Sequence, residues 1–217
     1  LDNYLKSHGY KFKNNSAEIG GYVILKNKNI SIAMDMGLPP EKKFSNNYQS
    51  GVLSFEILYR GKKLISNSGY FQDSKHQLNK ISKSSAAHST LIIDNSSVCI
   101  FKKDSKGRTI VNNGFKILNK KIINQKNHWI LKAAHDGYQK KYGVIHEREI
   151  EFIPELNKFI GKDKLIKKKK FKSSNFEIRF HLNPNAKVTK TQEKDSVLIE
   201  LENSGWRFFC KDYNIDI

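Results

Sequence analysis

Val144-Ile145-His146-Glu147-Arg148-Glu149-Ile150-Glu151-Phe152-Ile153 is the stretch that decides the fold class of this chain. From His146 onward, apolar and polar residues alternate with the two-residue period of a strand. One face carries Ile145, Glu147, Glu149, Glu151 and Ile153, and the other His146, Arg148, Ile150 and Phe152. Working outward, the same grammar recurs in both directions. Gly21 to Leu25 and Ile30 to Met34 flank Lys26-Asn27-Lys28-Asn29, which reads as a hairpin. Val52 to Tyr59 and Leu64 to Asn67 flank Arg60-Gly61-Lys62-Lys63, a second hairpin in which Gly61 is free to take positive φ.

Further strands are expected at Ser89–Asp94, Ile110–Val111, Phe115–Leu118, Trp129–Ala134, Phe159–Ile166, Phe176–Leu182, Ser196–Leu201 and Gly205–Cys210. Only Gln72 to Ser84 offers a helical turn. About a dozen short strands without helices between them specify stacked antiparallel sheets, an all-β sandwich, rather than a parallel α/β fold. No fixed repeat marks a propeller. The expectation is one domain over residues 1–217. Its last residues, Asn214 to Ile217, break off in strand-like sequence, as a domain cut short at its C-terminus would.

Composition narrows the function classes. The 217 residues are 38% hydrophobic and 11% aromatic with four prolines, enough to build a core and contrary to global disorder. No run approaches the roughly 18 apolar residues of a membrane-spanning helix. Leu1-Asp2-Asn3-Tyr4 has neither a starting Met nor a basic-then-apolar leader, as expected of an internal piece or a processed product. Cys99 and Cys210 lack metal-type spacing, which leaves two free thiols as the first reading and a single bridge as the alternative. Lys plus Arg number 39 against 21 acidic residues, a net charge of +18 that attracts polyanions. The lysines are scattered, with one run at Lys167-Lys168-Lys169-Lys170, so charge by itself does not separate a polyanion site from a solvated surface. That run, with Phe159 and Phe171 nearby, reads more simply as strand, basic turn, strand than as a nucleic-acid site.

Four segments hold polar groups that sheet packing does not require: Ala86-Ala87-His88-Ser89-Thr90, Ala134-His135-Asp136-Gly137-Tyr138, His146-Glu147-Arg148 and Arg179-Phe180-His181-Leu182-Asn183-Pro184. Phosphate loops, His-Glu-x-x-His helices, cysteine pairs and nucleophile elbows are absent from the sequence. Each histidine alone is a structural residue by default, and only convergence of their strands would make a site.

These segments carry a resemblance. Leu53-Ser54-Phe55-Glu56, Asn67-Ser68-Gly69-Tyr70 and Ser85 to Asp94 resemble the heparinase II/III-like C-terminal domain. His135 to Tyr138, Gly143 to Arg148, Arg179 to Leu182 and Gly205-Trp206-Arg207-Phe208 are similar to a bacterial branch of that family. The likeness runs over roughly residues 8 to 210, and no single motif carries it. It implies a β-sandwich that follows an α/α-toroid domain, in enzymes that cleave uronic-acid-containing polysaccharides by β-elimination. It also implies a bacterial periplasm or cell envelope. In the family, a toroid Tyr and an Asn or His do the main chemistry. The β-domain lends a cleft His and, in several members, a structural zinc held by His, Asp and His.

Position by position, Asn47 stands in the place of the cleft His, Gln49 in that of the first zinc ligand, and Asn67 in that of the zinc-binding Asp. His88 matches the remaining ligand. Amides are poor zinc ligands, so zinc is implied by the resemblance but is not expected to be kept. His135, Tyr138, His146 and Arg148 are the expected sugar-facing cluster, on the condition that their strands are adjacent. The first reading is therefore the sandwich domain of a polysaccharide-lyase-like protein acting on an acidic polysaccharide such as a glycosaminoglycan, inactive without its toroid. A non-catalytic acidic-glycan-binding or structural domain is second, and a nucleic-acid-binding β-protein is third.

Overall fold

The computed structural model describes residues 7, 17–169, 174–193, 195–210 and 213–217. Of these, 48% are strand and 10% helix, so the all-β architecture expected from the short β-branched runs is what forms. In chain order the strands open with β1 (Glu18–Ile19), β2 (Tyr22–Lys26), β3 (Ile30–Asp35), β4 (Phe55–Tyr59), β5 (Lys62–Ser66), β6 (Leu91–Ile93), β7 (Ile100–Lys103) and β8 (Thr109–Asn113). They continue with β9 (Ile117–Gln125), β10 (His128–His135), β11 (Val144–Ile153), β12 (Lys158–Lys167) and β13 (Phe176–Ile178). The last are β14 (His181–Leu182), β15 (Lys187–Lys190), β16 (Ser196–Leu201) and β17 (Ser204–Phe209). Among the described residues, the short helices α1 (Gln77–Ser82) and α2 (Gln139–Tyr142) interrupt them.

Among the described residues every strand pairing is antiparallel. One sheet runs β1-β2-β3-β4-β5-β14 and a second runs β12-β11-β10-β9, with β15-β16-β17 as a smaller third and β13-β6 and β7-β8 as ribbons. The first hairpin closes where Asn27 Oδ1 accepts hydrogen bonds from the backbone N–H groups of Asn29 and Ile30. The second turns through Arg60 and Gly61, both at positive φ, the backbone of a tight hairpin whose twist matches its strands.

Alternation in β11 partitions as the sequence predicts. His146, Arg148, Ile150 and Phe152 face the core, while Glu147, Glu149 and Glu151 face outward. On that outer face Lys132 pairs with Glu147 and Glu149, and Lys162 with Glu149 and Glu151, so part of the lysine excess is neutralised locally. Val23, Leu25, Ile32, Met34, Phe55 and Ile57 from the first sheet join Trp129, Leu131, Ile150 and Phe152 from the second in one hydrophobic cluster. Phe152 stacks on its cross-strand partner Phe159 with ring centroids 4.3 Å apart.

Several elements depart from the expectations. Val52 and Leu53 are not strand: Leu53 takes φ 58°, and its carbonyl turns toward the second sheet. The expected strand Phe176–Leu182 is broken, β13 pairing with β6 and β14 with β5, so one run serves two sheets. β7, β15 and the Lys- and Asn-rich half of β9 formed without an apolar alternation to announce them. Cys99 and Cys210 are free thiols, the first buried. Lys167 ends β12, whereas Lys170 and Phe171 lie outside the described residues. Among the described residues no helix is long and apolar enough to cross a membrane.

Candidate functional site

The condition placed on His135, Tyr138, His146 and Arg148 is met, because β10 and β11 are neighbours and His135 lies directly opposite His146. Their expected exposure is not. All four side chains are buried, at 0 to 1% exposure, so they do not face a sugar in this fold. The physical reason is Asp163, which the register of β12 places opposite Arg148. Arg148 Nε donates to Asp163 Oδ1 at 2.8 Å and Nη2 to Oδ2 at 3.1 Å. Nη1 donates to the carbonyls of Leu53 at 3.0 Å and Ser89 at 2.7 Å, tying the second sheet to the loops that lead into β4 and β6.

The histidine tautomers follow from a single backbone donor. Gly137 N–H donates to His135 Nδ1, so His135 Nε2–H must donate to His146 Nδ1, at 3.2 Å. His146 Nε2–H then donates to Asp163 Oδ1, at 2.6 Å. Burial pushes both imidazoles below their ordinary pKa, with Arg148 adding to the effect and Asp163 opposing it at His146. Burial alone would raise Asp163, but the Arg148 guanidinium and the His146 hydrogen bond hold it well below the carboxylate range. Tyr138 Oη donates toward the carbonyls of Leu91 and Ser96 and completes the plug. A neutral imidazole chain ending on an ion pair, closed to solvent, is a structural network rather than an acid–base pair.

The exposed polar groups lie across the first sheet. Asn47, at the family's cleft-His position, is exposed on the loop between β3 and β4. Its Oδ1 accepts from Tyr70 Oη at 2.9 Å and from Asn46 Nδ2 at 3.1 Å, which turns its own Nδ2 hydrogens outward. Lys83 pins this loop by donating from Nζ to the Asn46 carbonyl and accepting from Ser50 N at its own carbonyl.

Beside the loop is a pocket of about 290 Å³, and it contains the other three predicted positions, Gln49, Asn67 and His88, together with Tyr22, Ile24, Ala33, Asp35, Gly51, Ser54, Glu56 and Gly69. Gly51 packs closely there: a Cβ would lie 3.0 Å from the His88 ring and 3.2 Å from Ser54 Oγ, so either side chain would have to shift by a few tenths of an ångström. Burial lowers the His88 pKa to about 4, His181 adding, while a bond to the Ser82 backbone and the Glu56 charge oppose it. The ring is therefore neutral near pH 7. Its Nε2 is buried with no hydrogen-bond partner among the described residues. Burial raises Asp35 to about 6 against the pull of the Gly37 N–H and Lys120.

Zinc does not fit this donor set. His88 offers one imidazole lone pair, but Asn67 Oδ1 accepts from Ser89 N at 2.8 Å and Gln49 Nε2 donates to the Gly69 carbonyl at 3.0 Å. Glu56 is committed to Lys63 and to the Asn67 N–H. Among the described residues no three His, Cys, Asp or Glu side chains converge in a metal-holding group. One imidazole with two engaged amides lacks the charge and basicity that a tetrahedral zinc needs.

Two partners of these sites were not singled out by sequence reading. Asp163 is the lone acid between Phe159 and Leu165 on the inward face of β12, whereas Asp35 shares the outer face of β3 with Ala33 and lines the pocket. For Asp163, a carboxylate at an inward strand position was the available signal.

The fold and its loops define a class, an antiparallel β-sandwich with a polar pocket on the outer side of one sheet. Within that class, this chain belongs to the heparinase II/III-like family, whose C-terminal model matches residues 12–217. Among solved structures, a heparan sulfate lyase from Pedobacter heparinus superposes with a TM-score of 0.65 at 19% identity, over 93% of this chain and 30% of that one. A heparinase III structure superposes with a TM-score of 0.58 at 18% identity, over 84% of this chain and 27% of that one. Among curated proteins, FtsZ-localized protein C of Caulobacter vibrioides is 26% identical over 204 residues, 88% of this chain and 35% of the relative. The chain thus spans about a third of the length of the proteins it matches.

Proposed function

We propose that this chain is the β-sandwich domain of a polysaccharide-lyase-like protein, where it holds a uronic-acid-containing polysaccharide for β-elimination. The proton transfers belong to an α/α-toroid domain outside this chain, in the periplasm or cell envelope. The observation that carries the reading is Asn47. Its amide is exposed and locked with the Nδ2 hydrogens outward, a posture suited to donating to a uronate carboxylate. An amide cannot exchange a proton near neutral pH, and His135 and His146 are sealed inside. Holding substrate is therefore what these residues support, and proton transfer is not. The net charge of +18 favours association with any uronan.

The test is retention on a heparin or alginate matrix at matched salt, alongside ultraviolet absorbance of the unsaturated product. Binding that weakens roughly tenfold in Asn47→Ala, with no absorbance rise from the isolated chain, is expected. An absorbance rise from this chain alone, or unchanged binding in the variant, would overturn the reading. A second reading, a non-catalytic glycan-binding or structural domain, is favoured by the substitution of an amide for the cleft His. It also draws support from the Caulobacter relative, whose name records localisation with FtsZ rather than a reaction. An upstream toroid bearing a Tyr with an Asn or His at its cleft separates the two.

A further inference from the structure

We propose that the segment from Asn79 to Lys83, the end of α1 and the residue that follows it, is a clamp that sets the posture of the Asn47 amide, with Lys83 and Asn79 as its positioning residues. α1 is built the wrong way round for core packing. A surface helix ordinarily turns its apolar residues inward. This one leaves Leu78 and Ile81 at 43% and 51% exposure and buries Asn79 and Ser82. Lys83, at 3% exposure, buries an ammonium that meets the Asn46 carbonyl rather than a carboxylate. Burying an amide, a hydroxyl and an ammonium is costly unless each is hydrogen-bonded. What holds α1 in place is therefore the bonds it makes, and those bonds lead to one exposed side chain.

They reach Asn47 along two arms. On the first, Asn79 Nδ2 donates to the Phe71 carbonyl and the Phe71 N–H donates to Ser82 Oγ at 3.3 Å, which fixes the residue beside Tyr70. Tyr70 Oη in turn donates to Asn47 Oδ1. On the second, Lys83 Nζ holds the Asn46 carbonyl, and Asn46 Nδ2 donates to the same Asn47 oxygen. Lys83 also closes the far end of this loop, its carbonyl accepting from the Ser50 N–H at 2.9 Å. Both bonds that turn the Asn47 Nδ2 hydrogens outward thus trace to one short segment. An exposed asparagine held by nothing samples several rotamers, and fixing it in advance lowers the ordering cost of binding. This proposal rests on the glycan reading above and adds the residues that preset its donor.

The test places Lys83→Met and Asn79→Ala in the full chain, each with Asn47 intact and in an Asn47→Ala background. Heparin affinity is measured at matched salt, and NMR follows the Asn47 side-chain amide. Lys83→Met should weaken heparin binding by roughly fivefold when Asn47 is present and by less than about twofold when it is absent, because its effect passes through Asn47. Lys80→Met, which removes an exposed charge from the same helix, should change affinity equally in both backgrounds. The heteronuclear NOE of the Asn47 amide should fall in Lys83→Met and in Asn79→Ala and hold in Lys80→Met. Asn79→Ala carries the test on the other arm if Lys83→Met fails to fold. An equal loss from Lys83→Met in both backgrounds, or an Asn47 amide that stays rigid in both clamp variants, would overturn the proposal. The NMR reading needs no glycan, so the failures separate. A loosened amide with heparin binding unchanged by Asn47→Ala removes the glycan reading and leaves the clamp. Heparin binding weakened by Asn47→Ala, beside an amide that stays rigid, removes the clamp alone.

Discussion

Arg148→Met tests the buried junction between the sheets. The native guanidinium spends four hydrogen bonds, two on Asp163 and one each on the carbonyls of Leu53 and Ser89, at zero exposure and over the Phe55 ring. Methionine approximates its length but donates nothing. It leaves Asp163 with His146 as its remaining hydrogen-bond partner in this network, and it strips a donor from each of two carbonyls. Removing one partner of a buried pair costs about 3–5 kcal/mol, and an unsatisfied buried carbonyl about 1–3. These terms overlap, so a loss of about 4 kcal/mol is expected, a large share of the roughly 5–15 that holds a domain together. In urea, with a slope of about 2 kcal/mol/M, the unfolding midpoint should fall by about 2 M. Arg148→Lys should recover little, because an ammonium cannot span both Asp163 oxygens and the two carbonyls. Arg148→Met combined with Asp163→Leu should be less damaging than the sum of the two single changes, because no lone charge is left behind. A single-variant loss under about 1 kcal/mol, or strict additivity in the pair, would refute the claim that Arg148, held by Asp163, ties the second sheet to the Leu53 and Ser89 loops.

Acid should destabilise the protein through the histidines. His135 and His146 are depressed in the native state, so below about pH 6.5 the unfolded chain binds protons that the native chain refuses, and stability falls with pH. Asp163 adds stability that is present above its ordinary 3.8 and is lost as pH drops through its lower native value. Asp35 opposes both: raised from 3.8 to about 6, it favours the native state at low pH and costs about 3 kcal/mol once ionised. Asp35→Asn should therefore raise stability at pH 7 by up to that amount and steepen the acid loss. Urea titrations at pH 5 and 7 check both effects, and a destabilised variant at pH 7 would contradict them. Zinc should not survive dialysis on the unaltered chain, whereas Gln49→His with Asn67→Asp, beside His88, should retain about one equivalent. Zinc kept by the unaltered chain and lost in His88→Ala would reverse that expectation.

The alternation of Val144–Ile153, the Asn27 and Gly61 turns and the spacing of β-branched runs determined by themselves that this chain is an antiparallel sandwich. Each is a local rule in which side-chain direction and turn geometry follow from neighbouring residues. The sequence also assigned His146 and Arg148 to one face of β11, but not which face would be sealed. That depended on Asp163 arriving opposite Arg148, a pairing between residues 15 apart whose register no local rule sets. Tertiary contacts likewise divided Phe176–Leu182 between two sheets and gathered Asp35, Gln49, Asn67 and His88 around one pocket. A strand's period tells which residues share a side. What lies across from that side is decided by packing between distant segments, and that packing turned the expected sugar-facing cluster into part of the core.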